Sequence, residues 1–118
     1  MMGGMSDLTE PERIRIDTGL LLDFYGQLLP DRARDMLERY YLDDFSLAEI
    51  AGQLGVSRQA VHDRLHQGLE SLTQYEAKLH LLERFRQQRA ALVAALGALD
   101  DGQIPKAREI LAQLQELL

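Results

Sequence analysis

Five side chains within one short stretch could read a nucleic acid: Ser57, Arg58, Gln59, His62 and His66. An arginine can pair with guanine O6 and N7, and a glutamine with adenine N6 and N7. A serine at the start of a helix suits a phosphate resting on the helix N-terminal amides. Such chemistry needs all five on the outer side of one helix, with Ala60, Val61 and Leu65 turned inward, and helical periodicity gives that division. The same face also fits a plainer role as a solvated or protein-contacting surface, because Asp63 lies within it and repels phosphate.

His62 and His66 stand at i and i+4, a spacing that can hold a metal ion on one helical face. The glutamate of the zinc-protease motif is absent, and His80 lies about 21 Å farther along a straight helix. No metal site is expected. Nor is catalysis: the chain has no Gly-rich phosphate loop, no Ser/His/Asp constellation and no cysteine, so no enzyme activity and no cofactor follow from it. Asp43-Asp44 reads as a helix break, not as an acid–base pair.

The element that must position these residues begins upstream, at residues 46–61. Ser46 is a predicted N-cap with Glu49 three residues on, the pattern of a capping box. Leu47, Ile50, Ala51 and Leu54 form one apolar stripe. Gly55 follows where a helix closes on a left-handed residue. Val56 is suited to plug the corner, and Ser57 restarts the count as a second N-cap. Ala51 is small enough to let two helices cross over a short turn. Cap, small residue, glycine and second cap in this order predict a helix-turn-helix.

Charge tells against a simple DNA binder. The 118 residues carry a formal net charge of −6, whereas such proteins usually present a basic face. Residues 57–90 form the one basic section, six bases against four acids. Two or three arginines there imply feeble, salt-sensitive phosphate binding. Arg84, Arg86 and Arg89, beside Gln87 and Gln88, read first as a charged helix face.

The rest of the chain is helical in pattern, and no strand alternation occurs. Residues 1–16 lack periodicity and read as a disordered tail. Asp17 or Thr18 can cap a first helix carrying Leu21, Leu22, Phe24, Tyr25 and Leu28. Pro30 suits the first turn of a second helix, with Ala33, Met36, Leu37, Tyr40 and Tyr41 on its apolar face. Tyr40, Tyr41 and Phe45 form an aromatic knot ahead of Ser46. Beyond Ser57 an apolar stripe runs from Val61 through Leu65, Leu69, Leu72, Tyr75 and Leu79 to Leu82. Gly68 inside it marks a close helix crossing. Phe85, Leu92, Val93, Leu96 and Leu99 continue the helical pattern until Asp100-Asp101-Gly102. Pro105 then opens a last helix with Ile110, Leu111, Leu114, Leu117 and Leu118 on one face.

Three pieces of the sequence carry a resemblance: Leu22-Asp23-Phe24-Tyr25 with Leu28-Leu29, the run from Tyr40 to Ala51, and Val56-Ser57-Arg58-Gln59-Ala60-Val61. Tyr75-Glu76 with Lys78-Leu79 is a weaker fourth. Together they resemble the YlxM-like proteins, small bacterial proteins similar to region 4 of sigma factors, over roughly residues 17–82. The resemblance implies an all-helical fold, a sigma-region-4-like helix-turn-helix and dimerisation. It also implies a role tied to the signal recognition particle, because genes of the family tend to sit beside that of its GTPase. Where relatives commonly carry Tyr-Asp-Asn after Ala-Val, this chain has His62-Asp63-Arg64.

The expectation is therefore an all-α helical bundle in three parts: a disordered tail over 1–16, a helix-turn-helix domain over 17–82, and a C-terminal helical extension over 83–118 for packing or dimerisation. A soluble, cytoplasmic homodimer is expected, with no membrane span and no metal or cofactor. Its partners would be DNA, or a protein or RNA component of the signal recognition particle.

Overall fold

The structure is a computed structural model that describes residues 10–118, with side chains from Arg13 onward. Every regular element in that range is helical: α1 (Glu10–Tyr25), a 3-10 turn at Gly26–Leu28, α2 (Asp31–Tyr41), α3 (Leu47–Leu54), α4 (Arg58–Leu79), α5 (Leu81–Asp100) and α6 (Ile104–Leu117). The all-α class and the helix-turn-helix, α3 and α4, are present as expected. None of these helices is long and apolar enough to cross a membrane.

The chain divides into two compact units, one ending at Leu79 and one running from His80 to Leu118. In the first, α4 packs against α1, α2 and α3. Tyr25, Leu37, Ile50, Val61 and Leu72 are its largest fully buried side chains. Burial of such apolar groups supplies most of the stability of a domain this size. One contact sets how closely α4 lies on α2. A methyl group built on Gly68 would come within 2.7 Å of Leu37 Cδ1, and Leu37 is 0% exposed. Any side chain there would force the enclosed Leu37 to shift, so the glycine inside the stripe does mark a close crossing.

The first helix opens earlier than expected. α1 starts at Glu10, ahead of the predicted caps Asp17 and Thr18, so 10–16 is helix and not tail, and residues 1–9 lie outside the described residues. Thr18 is in fact buried, at 2% exposure. Arg15, from the stretch read as tail, reaches the end of α2. Its guanidinium donates to the Tyr40 carbonyl at 2.7 Å and to Asp44 Oδ1 at 2.7 Å, and lies 5.3 and 5.9 Å from the Tyr40 and Tyr41 ring centres. That cation–π contact closes the aromatic knot. Pro30 sits one position before α2, its carbonyl accepting the Arg34 amide at 3.0 Å.

The long stripe is interrupted. α4 ends at Leu79, and His80 takes a left-handed conformation (φ 58°) before α5 begins. Leu82 therefore belongs to a different helix from Val61–Leu79. The second unit is a hairpin of α5 and α6, joined at Gly102 (φ 74°), with the Gln103 amide bonded to the Ala98 carbonyl at 2.8 Å. Ala95, Ala98, Ala107 and Leu114 are buried within it. Leu111, Leu117 and Leu118, expected on the apolar face of the last helix, are exposed.

Glycine-to-alanine changes separate close packing from helix propensity. Alanine is worth up to about 1 kcal/mol over glycine inside a helix, but overpacking a core costs about 1–3 kcal/mol. Gly52→Ala in α3, with nothing within 4 Å of the added carbon, is expected to stabilise by up to about 1 kcal/mol. Gly68→Ala is expected to fall about 1–3 kcal/mol below Gly52→Ala in urea denaturation. All four tyrosines lie in the first unit, so near-UV circular dichroism follows that unit. Equal gains in both variants would remove the close crossing.

Candidate nucleic-acid interface

Two caps and one left-handed glycine set the geometry of the helix-turn-helix. At the start of α3 the Glu49 amide donates to Ser46 Oγ at 3.1 Å, and the Ser46 amide to Glu49 Oε1 at 2.9 Å. This is the reciprocal capping box that the sequence predicts. At its end Gly55 (φ 68°, ψ 34°) donates to the Ala51 carbonyl, as does Val56 at 3.1 Å. After the turn the Ala60 amide donates to Ser57 Oγ at 3.0 Å, which caps α4. Val56 is 39% exposed and walls the turn instead of plugging it, a correction to its expected place.

Behind the turn, Ile50 and Ala51 of α3 and Val61 and Leu65 of α4 are buried. Ala60 is half-buried at the edge of that contact. Arg39 of α2 ties the pair to the rest of the unit: its guanidinium donates to Asp35 at 3.0 Å and to Gln53 of α3 at 2.6 Å. At the far end of α4 the buried Tyr25 hydroxyl donates to Glu76 Oε1 at 2.6 Å. The Tyr25 and Tyr75 rings stand 6.0 Å apart. The axis of α4 is therefore held at both ends.

Ser57, Arg58, Gln59, His62 and His66 are all exposed. Arg58, His62 and His66 follow each other at four-residue intervals along one side of α4, with Gln59 and Asp63 beside them. Their side chains are not equally at liberty. Gln59 Nε2 donates to Asp63 Oδ1 at 2.9 Å, and His62 Nδ1 stands 3.4 Å from the same oxygen. His66 Nε2 is 4.0 Å from Glu70. Ser57 Oγ is occupied as an acceptor, although its hydroxyl proton can still be donated. Among the described residues no group of three or more His, Asp or Glu side chains could hold a metal ion.

The charge of α4 is balanced: Arg58, Arg64 and Lys78 against Asp63, Glu70 and Glu76. Balanced charge gives a small counterion-release term, so any phosphate contact here rests on the helix N-terminus and Arg58. Arg64, marked in the sequence only as a departure from the relatives' pattern, stands off the outer-face spacing. Ala60, Arg64, Gln67 and Ser71 share the opposite flank at intervals of four, three and four, a small-and-polar line beside the buried stripe. That spacing was the available signal.

Comparison with known proteins places this geometry in context. A family model described as "UPF0122: Putative helix-turn-helix protein, YlxM / p13 like" matches residues 12–114. The chain is 45% identical to a UPF0122 protein of Desulforamulus reducens over 93 residues, covering 76% of this chain and 80% of that one. It is 45% identical to one from Bacillus licheniformis, with 82% and 89% covered. A third, from Symbiobacterium thermophilum, is 42% identical, with 81% and 90% covered.

The capping box carries a pH dependence. The Ser46 backbone amide, and then the Ser46 hydroxyl, hold the Glu49 carboxyl below its ordinary value of 4.5. A depressed folded pKa adds stability that is full above the ordinary value and fades as pH falls through the lowered one. Wild type is expected to exceed Glu49→Gln in thermal midpoint at neutral pH, with the gap closing as pH drops below about 4.5. A gap that stays constant on acidification would remove the charged cap.

Proposed function

This chain belongs to the UPF0122 (YlxM/p13-like) helix-turn-helix family, and from that premise we propose that it is a regulatory protein of the signal recognition particle pathway. It acts in the cytoplasm, without enzymatic activity of its own. Its contact is made to a protein component of that particle, the GTPase in the first place, by the presented face of α4. The observation that carries this is the state of that face: Gln59 and His62 already turned to Asp63, His66 facing Glu70, and no net charge along the helix. A surface of that kind meets another protein surface more readily than a polyanion, since interfaces between proteins carry mixed polar contacts and duplex DNA demands a basic one.

One observation favours a second role, sequence-specific DNA binding by a transcriptional regulator. Arg58 and Gln59 stand exposed in the first turn of α4, where a recognition helix makes its base contacts. Two copies reading two half-sites would suit that role.

The proposal includes a homodimer joined by the second unit. Along α5, Leu92, Leu96 and Leu99 recur at helical spacing on the exposed side, with Val93 beside them; Leu96 is 62% exposed and Ile104 of α6 is 64% exposed. A unit the length of His80–Leu118 lies near the ~40-residue size below which folding alone usually fails. A second hairpin covering that stripe would complete a four-helix bundle.

Two experiments test these statements. Purified chain is presented to the particle's GTPase, to its RNA and to a pool of duplex DNA, beside the variant Arg58→Ala with Gln59→Ala, whose fold is expected to be intact. Binding to the GTPase, weakened about tenfold or more in the variant, is the expected outcome. Retention of DNA alone, lost in the variant, would select the transcriptional role. Sedimentation of Val93→Glu with Leu96→Glu is expected to show monomer where wild type shows dimer. A monomeric wild type would remove the bundle.

A further inference from the structure

The flank of α4 away from Arg58 and His62 borders a cleft of about 170 Å³. Its floor is apolar and drawn from four places in the fold: Met36 of α2, Leu54 of α3, Val56 of the turn and Ala60 of α4. Arg32 and Arg64 stand at its rim. Both are exposed, and neither is held in an ion pair among the described residues. The acid in the lining, Asp35, is engaged by Arg39 at 3.0 Å. Arg64 also borders a second depression, with Leu29, Pro30, Ala33 and Gly68. Arg64 thus borders both an apolar hollow and a mixed one lined also by Gln67 and Ser71.

We propose that this cleft receives an acidic peptide segment of a partner protein. One apolar side chain of the segment occupies the Met36–Leu54–Val56–Ala60 floor, and its neighbouring carboxylates pair with Arg32 and Arg64. Charge complementarity selects this occupant. On a chain of net charge −6, two uncommitted guanidiniums beside an apolar floor are an arrangement that a carboxylate can engage bidentately. The apolar anchor supplies the buried centre that peptide recognition needs.

Other occupants fit less well. Two arginines release too few counterions to hold a nucleic acid, and an apolar floor offers nothing to phosphate. Taken alone the first hollow is smaller than the roughly 300–1,000 Å³ of a drug-sized ligand pocket; the second, about 460 Å³, falls within that range, and it is the run of both hollows along α4 that favours a longer occupant. That extent suits a peptide. The two hollows follow α4 from Ala60 to Ser71, about 16 Å at the helical rise. An amphipathic helix of about three turns spans both, with the Arg64 partner midway. The cleft uses neither Arg58 nor Gln59, so it stands or falls apart from the role assigned to the other face of α4.

The test is a displayed library of random peptides of about twelve residues, the length that matches the groove, selected against the full chain. Recovered peptides are then measured by fluorescence anisotropy. Expected are sequences with an apolar residue and Asp or Glu within four positions of it. Their affinity is expected to fall about tenfold or more, some 1.4 kcal/mol, in Arg32→Glu with Arg64→Glu, and to survive in Arg58→Ala with Gln59→Ala. Arg32 and Arg64 are exposed, and near-UV circular dichroism confirms that the double variant is folded. Failure to enrich any peptide, enrichment without acidic residues, or unchanged affinity in the Arg32/Arg64 variant would each overturn the proposal. So would displacement of the peptide by duplex DNA or RNA, which would give the cleft to nucleic acid.

Discussion

The close approach of Gly68 to Leu37 is the constraint on which the first unit depends. Because no side chain intervenes, α4 lies directly on α2, and Leu37 is enclosed. Val61, Leu65 and Leu72 follow from that placement, since each shares the side of α4 that carries Gly68. The two remaining flanks of α4 are then assigned without further choice. One carries Arg58, His62 and His66, and the other Ala60, Arg64 and Ser71. Interiors are packed at crystal-like density, so a shift of this one crossing would move both surfaces together.

Local chemistry was legible in the sequence; long-range chemistry was not. Ser46 and Glu49, Gly55 and Ser57 each satisfy a helix end with groups only a few residues away, Pro105 stands in the first turn of α6 where a missing amide proton costs nothing, and each stands where its residue type predicts. The start of α1 was missed because Glu10–Asp17 has few apolar residues to mark a stripe, and the fixing contact comes from elsewhere. Arg15 meets Tyr40 and Asp44 at separations of 25 and 29 residues, which no window of helical period can reveal. The break at His80 was hidden for a different reason. Leu79, Leu81 and Leu82 continue the apolar pattern across it, and a single histidine, though more tolerant of a left-handed backbone than most residues, is a far weaker stop signal than glycine.

Of the candidate interface, the positions were readable and the state of the side chains was not. Periodicity alone turns Arg58, Gln59, His62 and His66 outward, as the structure has them. That Gln59 and His62 both address one oxygen of Asp63 depends on rotamers, which spacing does not specify. Periodicity groups Leu111, Leu114, Leu117 and Leu118 on one apolar face but does not say what covers it; in the α5–α6 hairpin Ala95, Ala98 and Ala107 take much of the seam and most of the large side chains stay outside. Small residues permit a shorter distance between the two helices, and that gain of close contact competes with the area a leucine would bury.

Asp63 stands in the first two turns of α4 as an internal surrogate for a ligand. Its carboxylate oxygen already occupies the place, relative to Gln59 Nε2 and His62 Nδ1, that an acceptor on an incoming molecule would take. A partner that docked through these two nitrogens would exchange one acceptor for another, at a net energy that is the small difference between two comparable states, while the second Gln59 amide hydrogen stays open for a further bond. Discrimination would then come from mismatch: a visitor that evicts the carboxylate and shields Gln59 Nε2 from water without supplying an acceptor would leave that donor stranded.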